Sequence, residues 1–394
     1  MKYLALTGAV LAPIAAASVL IARRANHDAS RRRAHWWAVA LAGAALILAT
    51  AIFDSLMIGA DLFYYAEDLI SGLRIGLAPI EDFAYPIAGI LLLPALWWLF
   101  TARPPAAQVG WPRALRNLFW ASRPISWINT AYPFAAAMVL TTGRVDALLV
   151  LGTLYYLVPY NLALYGINDV FDYESDLQNP RKGGIEGALL APALHRITLG
   201  VALVANLPFL VVFVYRANAV ALAAIAISTF ALLAYSVPGL RFKERPILDS
   251  VTSSAHFVTP AVVGFALAGA DFTAPHLLIL VAFFLWGMAA HAFGAVQDVI
   301  PDRAAGIGSV ATVFGALVTV RISLALWLAA GALMLFTPMP GPVAALIVVP
   351  YLVNCAPYSK ITDGAAHRTN RAWRRFIWLN YACGFLVTIL LIAM

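Results

Sequence analysis

Five aspartates in two short stretches are the residues of this 394-residue chain best suited to chemistry. The first stretch runs Asn168-Asp169-Val170-Phe171-Asp172-Tyr173-Glu174-Ser175-Asp176, and the second runs Asp298-Val299-Ile300-Pro301-Asp302. On a helix, offsets of three and four residues put Asp169, Asp172 and Asp176 on one face, with Asn168 one turn from Asp172. Three carboxylates on one stripe repel one another and need a compensating cation. Hard oxygen ligands at that density suit Mg²⁺ bridging a substrate diphosphate. Asp298 and Asp302 again stand one turn apart, and two such clusters facing one cavity can hold several Mg²⁺ ions. These neutralise a leaving diphosphate and help an allylic carbon–oxygen bond to ionise. Cations that receive the phosphate oxygens are also required. Arg181 and Lys182 follow the first motif, while Arg241, Lys243 and Arg245 fill another loop. A single carboxylate at a helix end is most often a solvated interfacial charge; two clusters with basic loops between them argue for a site. Ion coupling by Asp298 and Asp302 in a secondary transporter is the competing reading, but transporters are commonly built from repeated halves, and no internal repeat is visible.

The elements that position these residues are membrane spans. Hydrophobic residues make up 62% of the chain and charged residues 11%, where an ordinary soluble domain carries about 25% charged. Apolar runs near the ~20 residues needed to cross a ~30 Å hydrocarbon core recur along the whole length. Backbone groups in lipid must bond within their own segment, and the runs show no period-2 alternation, so the spans are helices and not barrel strands. Three are expected before Pro104, at 3–22, 34–57 and 84–101. A polar linker at 103–123 follows. Nine more are expected at 126–142, 146–167, 193–214, 218–237, 251–269, 275–297, 321–337, 341–357 and 376–393. The first run is followed, not preceded, by its arginines, so it reads as a retained span and not a cleaved signal peptide.

Placing both termini outside puts 22 of the 26 Lys and Arg residues on the inner side, leaving only Lys2, Arg74, Arg144 and Arg216 outside. That asymmetry is what the positive-inside rule demands. Both aspartate motifs then face the cytoplasm from the plasma membrane. Topology also explains the net charge of +7: the basic residues are scattered between spans, and do not form the aromatic-interleaved face of a nucleic-acid binder. Cys355 and Cys383 have no metal-site or disulfide spacing and read as small core residues.

The pairing Asn-Asp-x-x-Asp-x-x-x-Asp with Asp-x-x-x-Asp, over nine spans, resembles the UbiA superfamily of intramembrane prenyltransferases across residues 115–394. The loop Tyr235-Ser236-Val237-Pro238-Gly239-Leu240-Arg241-Phe242-Lys243-Glu244-Arg245-Pro246 is similar to the family's third cytoplasmic signature. The resemblance implies an all-α polytopic bundle, Mg²⁺ bound by Asp169, Asp172, Asp176, Asp298 and Asp302, and diphosphate contacts from Asn168, Arg181, Lys182, Arg241 and Lys243. Residues His291 to Gly306 and Asn179 to Gly184 most resemble the lycopene elongases of fifty-carbon carotenoid synthesis. That implies transfer of dimethylallyl units from dimethylallyl diphosphate to lycopene or its C45 intermediate. Gln297 stands where many relatives with aromatic acceptors carry Lys, which disfavours a quinone precursor; a lipid acceptor is the other alternative. The bundle has to tolerate a carbocation, and Tyr155, Tyr156, Tyr160, Tyr165, Trp286 and Phe293 are available for this or for plain packing.

Residues 1–102 carry a separate acidic set: Asp54, Asp61, Glu67, Asp68, Glu81 and Asp82. Three spans with Pro79-Ile80-Glu81-Asp82 before the third resemble the small bacterial lycopene cyclase domain, one half of a heterodimeric cyclase. The resemblance implies a share in cyclisation, with Glu81 and Asp82 as acid or base and a second small membrane protein as partner. A carboxyl in an apolar pocket can start a carbocation or quench one. The expected organisation is thus a three-span domain at 1–102, a linker at 103–123 and a nine-span domain at 124–394.

Overall fold

The structure is a computed structural model that describes residues 2–24, 29–101, 111–177 and 189–392. The chain divides into two compact units, within 1–108 and 109–394. The first holds α1 (Lys2–Arg24), α2 (Ala29–Gly59) and α3 (Ala84–Thr101), with α1 and α2 both packed on α3. Between α2 and α3, Arg74–Ile75 and Ala78–Pro79 form a two-stranded antiparallel ribbon. A 3₁₀ turn over Ile80–Phe83 then leads into α3. The connection between the two ribbon strands places Gly76 in the left-handed region, at φ 64°, which only glycine enters without cost.

The second unit opens with the amphipathic helix α4 (Trp111–Ala121) and continues with α5 (Trp127–Thr142), α6 (Ala147–Leu157), α7 (Pro159–Phe171), the short α8 (Tyr173–Asp176), α9 (Pro192–Arg216) and α10 (Ala219–Ser236). Then come α11 (Leu248–Leu267), α12 (Ala274–Val296), α13 (Val299–Ala304), α14 (Val310–Met334), α15 (Gly341–Ala344), α16 (Val348–Cys355) and α17 (Asn370–Ile392). Among the described residues ten helical segments are long and apolar enough to cross a membrane. The 16-residue α5 and the apolar stretch Thr7–Leu20 within α1 are shorter. The protein is an all-α, multi-pass membrane protein. Leu203, Val204, Leu207 and Val211 of α9 are more than half exposed, as an apolar face in contact with lipid should be.

Local chemistry explains where spans begin and break. Pro159 has no N–H to continue the helix from α6 and disfavours ideal helical backbone at Val158. Val158 is distorted to φ −120°, ψ −60°, while the Leu162 N–H still donates to its carbonyl, and one span is made of α6 and α7. The span expected at 321–337 starts earlier, at Val310, because Ser309 and Thr312 form a reciprocal cap: the Thr312 N–H donates to Ser309 Oγ at 3.1 Å and the Ser309 N–H to Thr312 Oγ1 at 2.7 Å. Helices approach closely through small residues. At Gly264 on α11 a Cβ would lie 2.8 Å from the Phe134 carbonyl oxygen of α5. The bundle closes where Tyr381 of α17 donates to the Ile125 carbonyl, 2.8 Å, and Thr388 to the Tyr132 hydroxyl, 2.9 Å.

Two aromatic cores fill the bundle. Phe134, Tyr155, Tyr156, Tyr160 and Phe213 are buried against each other at centroid distances of 4.8 to 6.3 Å. Phe293, Trp327, Tyr351 and Phe376 make the second, with Trp286 stacked on its edge. Tyr155 and Tyr156, together with Phe293 and Trp286, are therefore packing residues. Cys355 and Cys383 are free and buried.

Candidate active site

The first motif does not form one helical stripe. Asn168 and Asp169 end α7, Asp172 caps it at φ −101°, ψ 3°, and Asp176 ends the separate short α8. The Asp176 N–H still donates to the Asp172 carbonyl at 2.8 Å, so the three carboxylates lie on two successive turns with a break between them. Asp169 is 1% exposed and Asp176 7%. Arg123, just before α5, donates to Asp169 Oδ1 at 3.2 Å and lies 4.3 Å over the Tyr165 ring. Its backbone is left-handed, φ 49°, which for a residue with a Cβ costs about 1–3 kcal/mol and concentrates at functional sites. Burial opposes its charge, but Asp169 and its neighbours hold the guanidinium above its usual range.

The loop after α10 closes over this motif. Ser236 donates to Asn168 Oδ1 at 3.0 Å and Lys243 Nζ donates to the same oxygen at 3.1 Å. Lys243 also pairs with Asp172, and Arg241 bridges Asp172, at 3.3 Å, to Glu244. Arg241, like Arg123, is left-handed, φ 41°. Burial pushes the Lys243 ammonium below its usual range against the pull of Asp172, while the hydrogen bond from Arg241 holds the Glu244 carboxyl down. Two cations and an amide oxygen thus surround one carboxylate, an arrangement that can exchange Asp172 for phosphate oxygens.

Asp298 caps α13 and Asp302 lies in its first turn, the Asp302 N–H donating to the Asp298 carbonyl at 2.9 Å. Arg303 is turned away to Asp363, 2.6 Å, and the Thr312 carbonyl, 2.8 Å. Gln297 accepts from Asn370 at 2.6 Å. Among the described residues no group of three or more His, Cys, Asp or Glu side chains converges at ligating distance. The donor set itself, five carboxylates and the Asn168 amide oxygen, is the hard-oxygen kind Mg²⁺ takes. Arg181 and Lys182 lie outside the described residues.

In the first unit the two neighbouring acids part company. Glu81, 6% exposed, accepts from the Ser71 N–H at 2.6 Å and fastens the turn. Asp82 instead accepts from the Tyr65 hydroxyl at 2.5 Å and is within hydrogen-bonding reach of Asp54. Thr50, Asp54, Tyr65, Asp82, Tyr85 and Pro86 line a cavity of about 300 Å³. Glu67 pairs with Arg74.

The sequence pattern of the UbiA prenyltransferase family matches residues 130–384. The chain belongs to that family. A relative from Dietzia sp. (strain CQ4), the C(50) beta-cyclic carotenoids biosynthesis protein LbtBC, is 47% identical over 95% of this chain and 94% of its own length. The lycopene elongase/hydratase of Corynebacterium glutamicum is 47% identical over 71% of this chain and 97% of its own length. This UbiA-family prenyltransferase is thus similar to proteins named for fifty-carbon carotenoid synthesis and for lycopene elongation. Among solved structures, that of a digeranylgeranylglyceryl phosphate synthase covers 71% of this chain and 99% of its own, with a TM-score of 0.52 and 12% identity; at that identity it speaks to the fold alone. Family membership leaves nothing in favour of the transporter reading of Asp298 and Asp302.

Several residues of the UbiA bundle that matter to the site were not singled out from sequence. Arg123 sat unremarked in a polar linker, and Glu244 and Ser236 within a loop known for its cations. Asp249, fully buried on α11, accepts from the Val310 N–H at 2.7 Å and so anchors the start of α14, with His291 Nε2 at 3.8 Å. Asp249 falls just before the span expected at 251–269, and only the earlier start of α11 at Leu248 brings it into the bundle.

Proposed function

We propose that this prenyltransferase moves dimethylallyl units from dimethylallyl diphosphate onto the ends of lycopene and of its C45 intermediate. One observation carries the reading: Asn168, Asp172, Arg241 and Lys243 meet in one knot, acidic ligands beside cations for phosphate, in a chain alike over 95% of its length to a fifty-carbon carotenoid protein. Mg²⁺, when bound by the carboxylates of Asp169, Asp172, Asp176, Asp298 and Asp302, neutralises the diphosphate and eases its departure. Lys243 and Arg241 hold the departing phosphate oxygens, with Arg181 and Lys182 as further contacts. Arg123 holds Asp169 in place. The apolar bundle excludes the water that would quench an allylic cation. The terminal double bond of lycopene attacks that cation through C2, and the tertiary cation formed at C1 loses a proton, adds water or cyclises.

The positive-inside distribution supports a cytoplasmic site in the plasma membrane. For the first unit we propose a share in ring closure together with a second small membrane protein. Asp82, with Asp54 and Tyr65 around a cavity, has the better placement for acid–base work. Two facing carboxyls share a proton readily, whereas Glu81 is engaged in holding its turn. A quinone precursor or a glycerol lipid remains the alternative acceptor.

Expression in a lycopene-accumulating host tests the reading. Pigments heavier than lycopene by one and two five-carbon units are expected, and Asp169→Asn or Asp298→Asn abolishes the gain. Asp82→Asn and Glu81→Gln spare the mass gain and affect only ring formation. Unchanged lycopene, with the protein well expressed and a partner supplied, sinks the proposal.

A further inference from the structure

Deeper in the transferase bundle than the acidic motifs lies a group of ionisable rings that diphosphate binding does not use. His256, in the middle of α11, is 3% exposed. Its Nδ1 is 3.4 Å from the phenolic oxygen of Tyr160 on α7, and its ring meets Tyr235 of α10 edge-on, with centroids 5.2 Å apart. Beyond Tyr235, at 6.5 Å, is the ring of His291 on α12, backed by the buried Asp249 carboxylate. The Nε2 of His256 is buried and has no hydrogen-bond partner among the described residues. An orphaned buried polar atom costs about 1–3 kcal/mol, and one in a folded protein calls for a reason.

Its position supplies one. Tyr235 adjoins Ser236, whose hydroxyl holds Asn168, so His256 stands one aromatic ring away from the first motif. Along α7, Tyr160 precedes Asn168 by eight residues, about 12 Å at the helical rise. A diphosphate held at the Asp172–Lys243 knot, with its allylic chain directed into the bundle, brings the bond-forming carbon and the acceptor beyond it toward His256. A base at His256 requires one tautomer, in which the His256 Nδ1–H donates to the Tyr160 oxygen 3.4 Å away. That leaves the Nε2 lone pair unused.

We propose that His256 is the base that ends prenyl transfer onto an alkene acceptor, an inference that rests on the acceptor reading given above. The π pair of the acceptor forms the new carbon–carbon bond, and the allylic carbon–oxygen pair leaves with the diphosphate. The tertiary cation left on the acceptor loses a proton from an adjacent C–H, whose bonding pair becomes the new double bond. The proton passes to Nε2 and is given up to water as product departs. Tyr160 is a positioning residue, fixing the tautomer.

The test uses the full chain in membranes with dimethylallyl diphosphate, Mg²⁺ and lycopene, reading rate, pigment mass and double-bond isomers. His256→Gln lowers the rate by about 10²–10⁴-fold, the usual span for a general base. It leaves binding of inorganic pyrophosphate with Mg²⁺ unchanged and diverts residual product to other alkene isomers or a hydrated end. Imidazole restores part of the rate to His256→Gly, and Tyr160→Phe shifts the isomer ratio in the same direction with a smaller loss. If the wild type elongates lycopene while His256→Gln matches it in rate and isomer ratio, His256 is not the base. A slower His256→Gln with an unchanged ratio and no imidazole rescue assigns a packing role and overturns the proposal as well. Should the histidine variants lose pyrophosphate binding through misfolding, the isomer ratio of Tyr160→Phe decides: shifted supports, unshifted overturns. A wild type that leaves lycopene untouched fails the acceptor reading itself, and this inference falls with it.

Discussion

Asp169 and Asp172 are three residues apart, yet each answers to a cation from a different stretch of chain, Arg123 upstream and Lys243 downstream. Asp169 is the more buried of the two carboxylates, and a buried carboxylate that loses its partner is costly, about 3–5 kcal/mol. Arg123→Met is therefore expected to lower thermal stability by that order and to abolish prenyl transfer. Asp169→Asn added to Arg123→Met should recover a large part of the stability and none of the activity, the signature of a coupled pair in a double-mutant cycle. Equal, additive losses from the two single changes would show the pair to be energetically idle. The acidic half of this site was legible in the sequence because carboxylates at three- and four-residue spacing are rare beside apolar spans. Its basic half was legible only where cations cluster, as at 241–245. Arg123 was not, since nothing in a lone arginine before Pro124 announces a left-handed backbone that swings it onto Asp169.

At the scale of elements, the spans followed from their apolar length, and their ends were misjudged where capping chemistry, not hydropathy, sets the boundary. Ser309 and Thr312 move the start of α14 back to Val310, and Asp172 interrupts the motif that spacing alone made a single stripe. Close packing was the least readable feature, because a glycine that seats a neighbouring backbone has the same sequence appearance as one that does not. Gly264 seats the Phe134 carbonyl of α5. A valine there has no room unless α5 and α11 separate, so Gly264→Val is expected to destabilise the bundle by about 1–3 kcal/mol, the usual cost of overpacking. Thermal unfolding in detergent measures it. The contact-free comparison is Gly143, whose added Cβ meets nothing within 4 Å but whose φ of 64° disfavours a side chain; Gly143→Ala should cost through backbone strain alone.

The molecule as a whole pairs a three-helix unit with a transferase bundle, each compact within its own limits. Composition made the membrane class plain, and the acidic motifs made the second unit plain. The role of the first unit rests on a short motif whose two acids the structure gives different duties, Glu81 to a turn and Asp82 to a cavity with Tyr65. The Corynebacterium relative is matched over 97% of its own length by 71% of this chain, so a protein of about the second unit's size exists without further sequence. The segment 109–394, expressed alone in a lycopene-accumulating host, is accordingly expected to add five-carbon units as the full chain does, and to yield only uncyclised product even with a cyclase partner present. Supplying residues 1–108 on a second polypeptide should then restore rings. If the segment 109–394 folds, binds pyrophosphate with Mg²⁺ and still fails to elongate, the first unit contributes to transfer itself, and the division of labour between the two units is wrong.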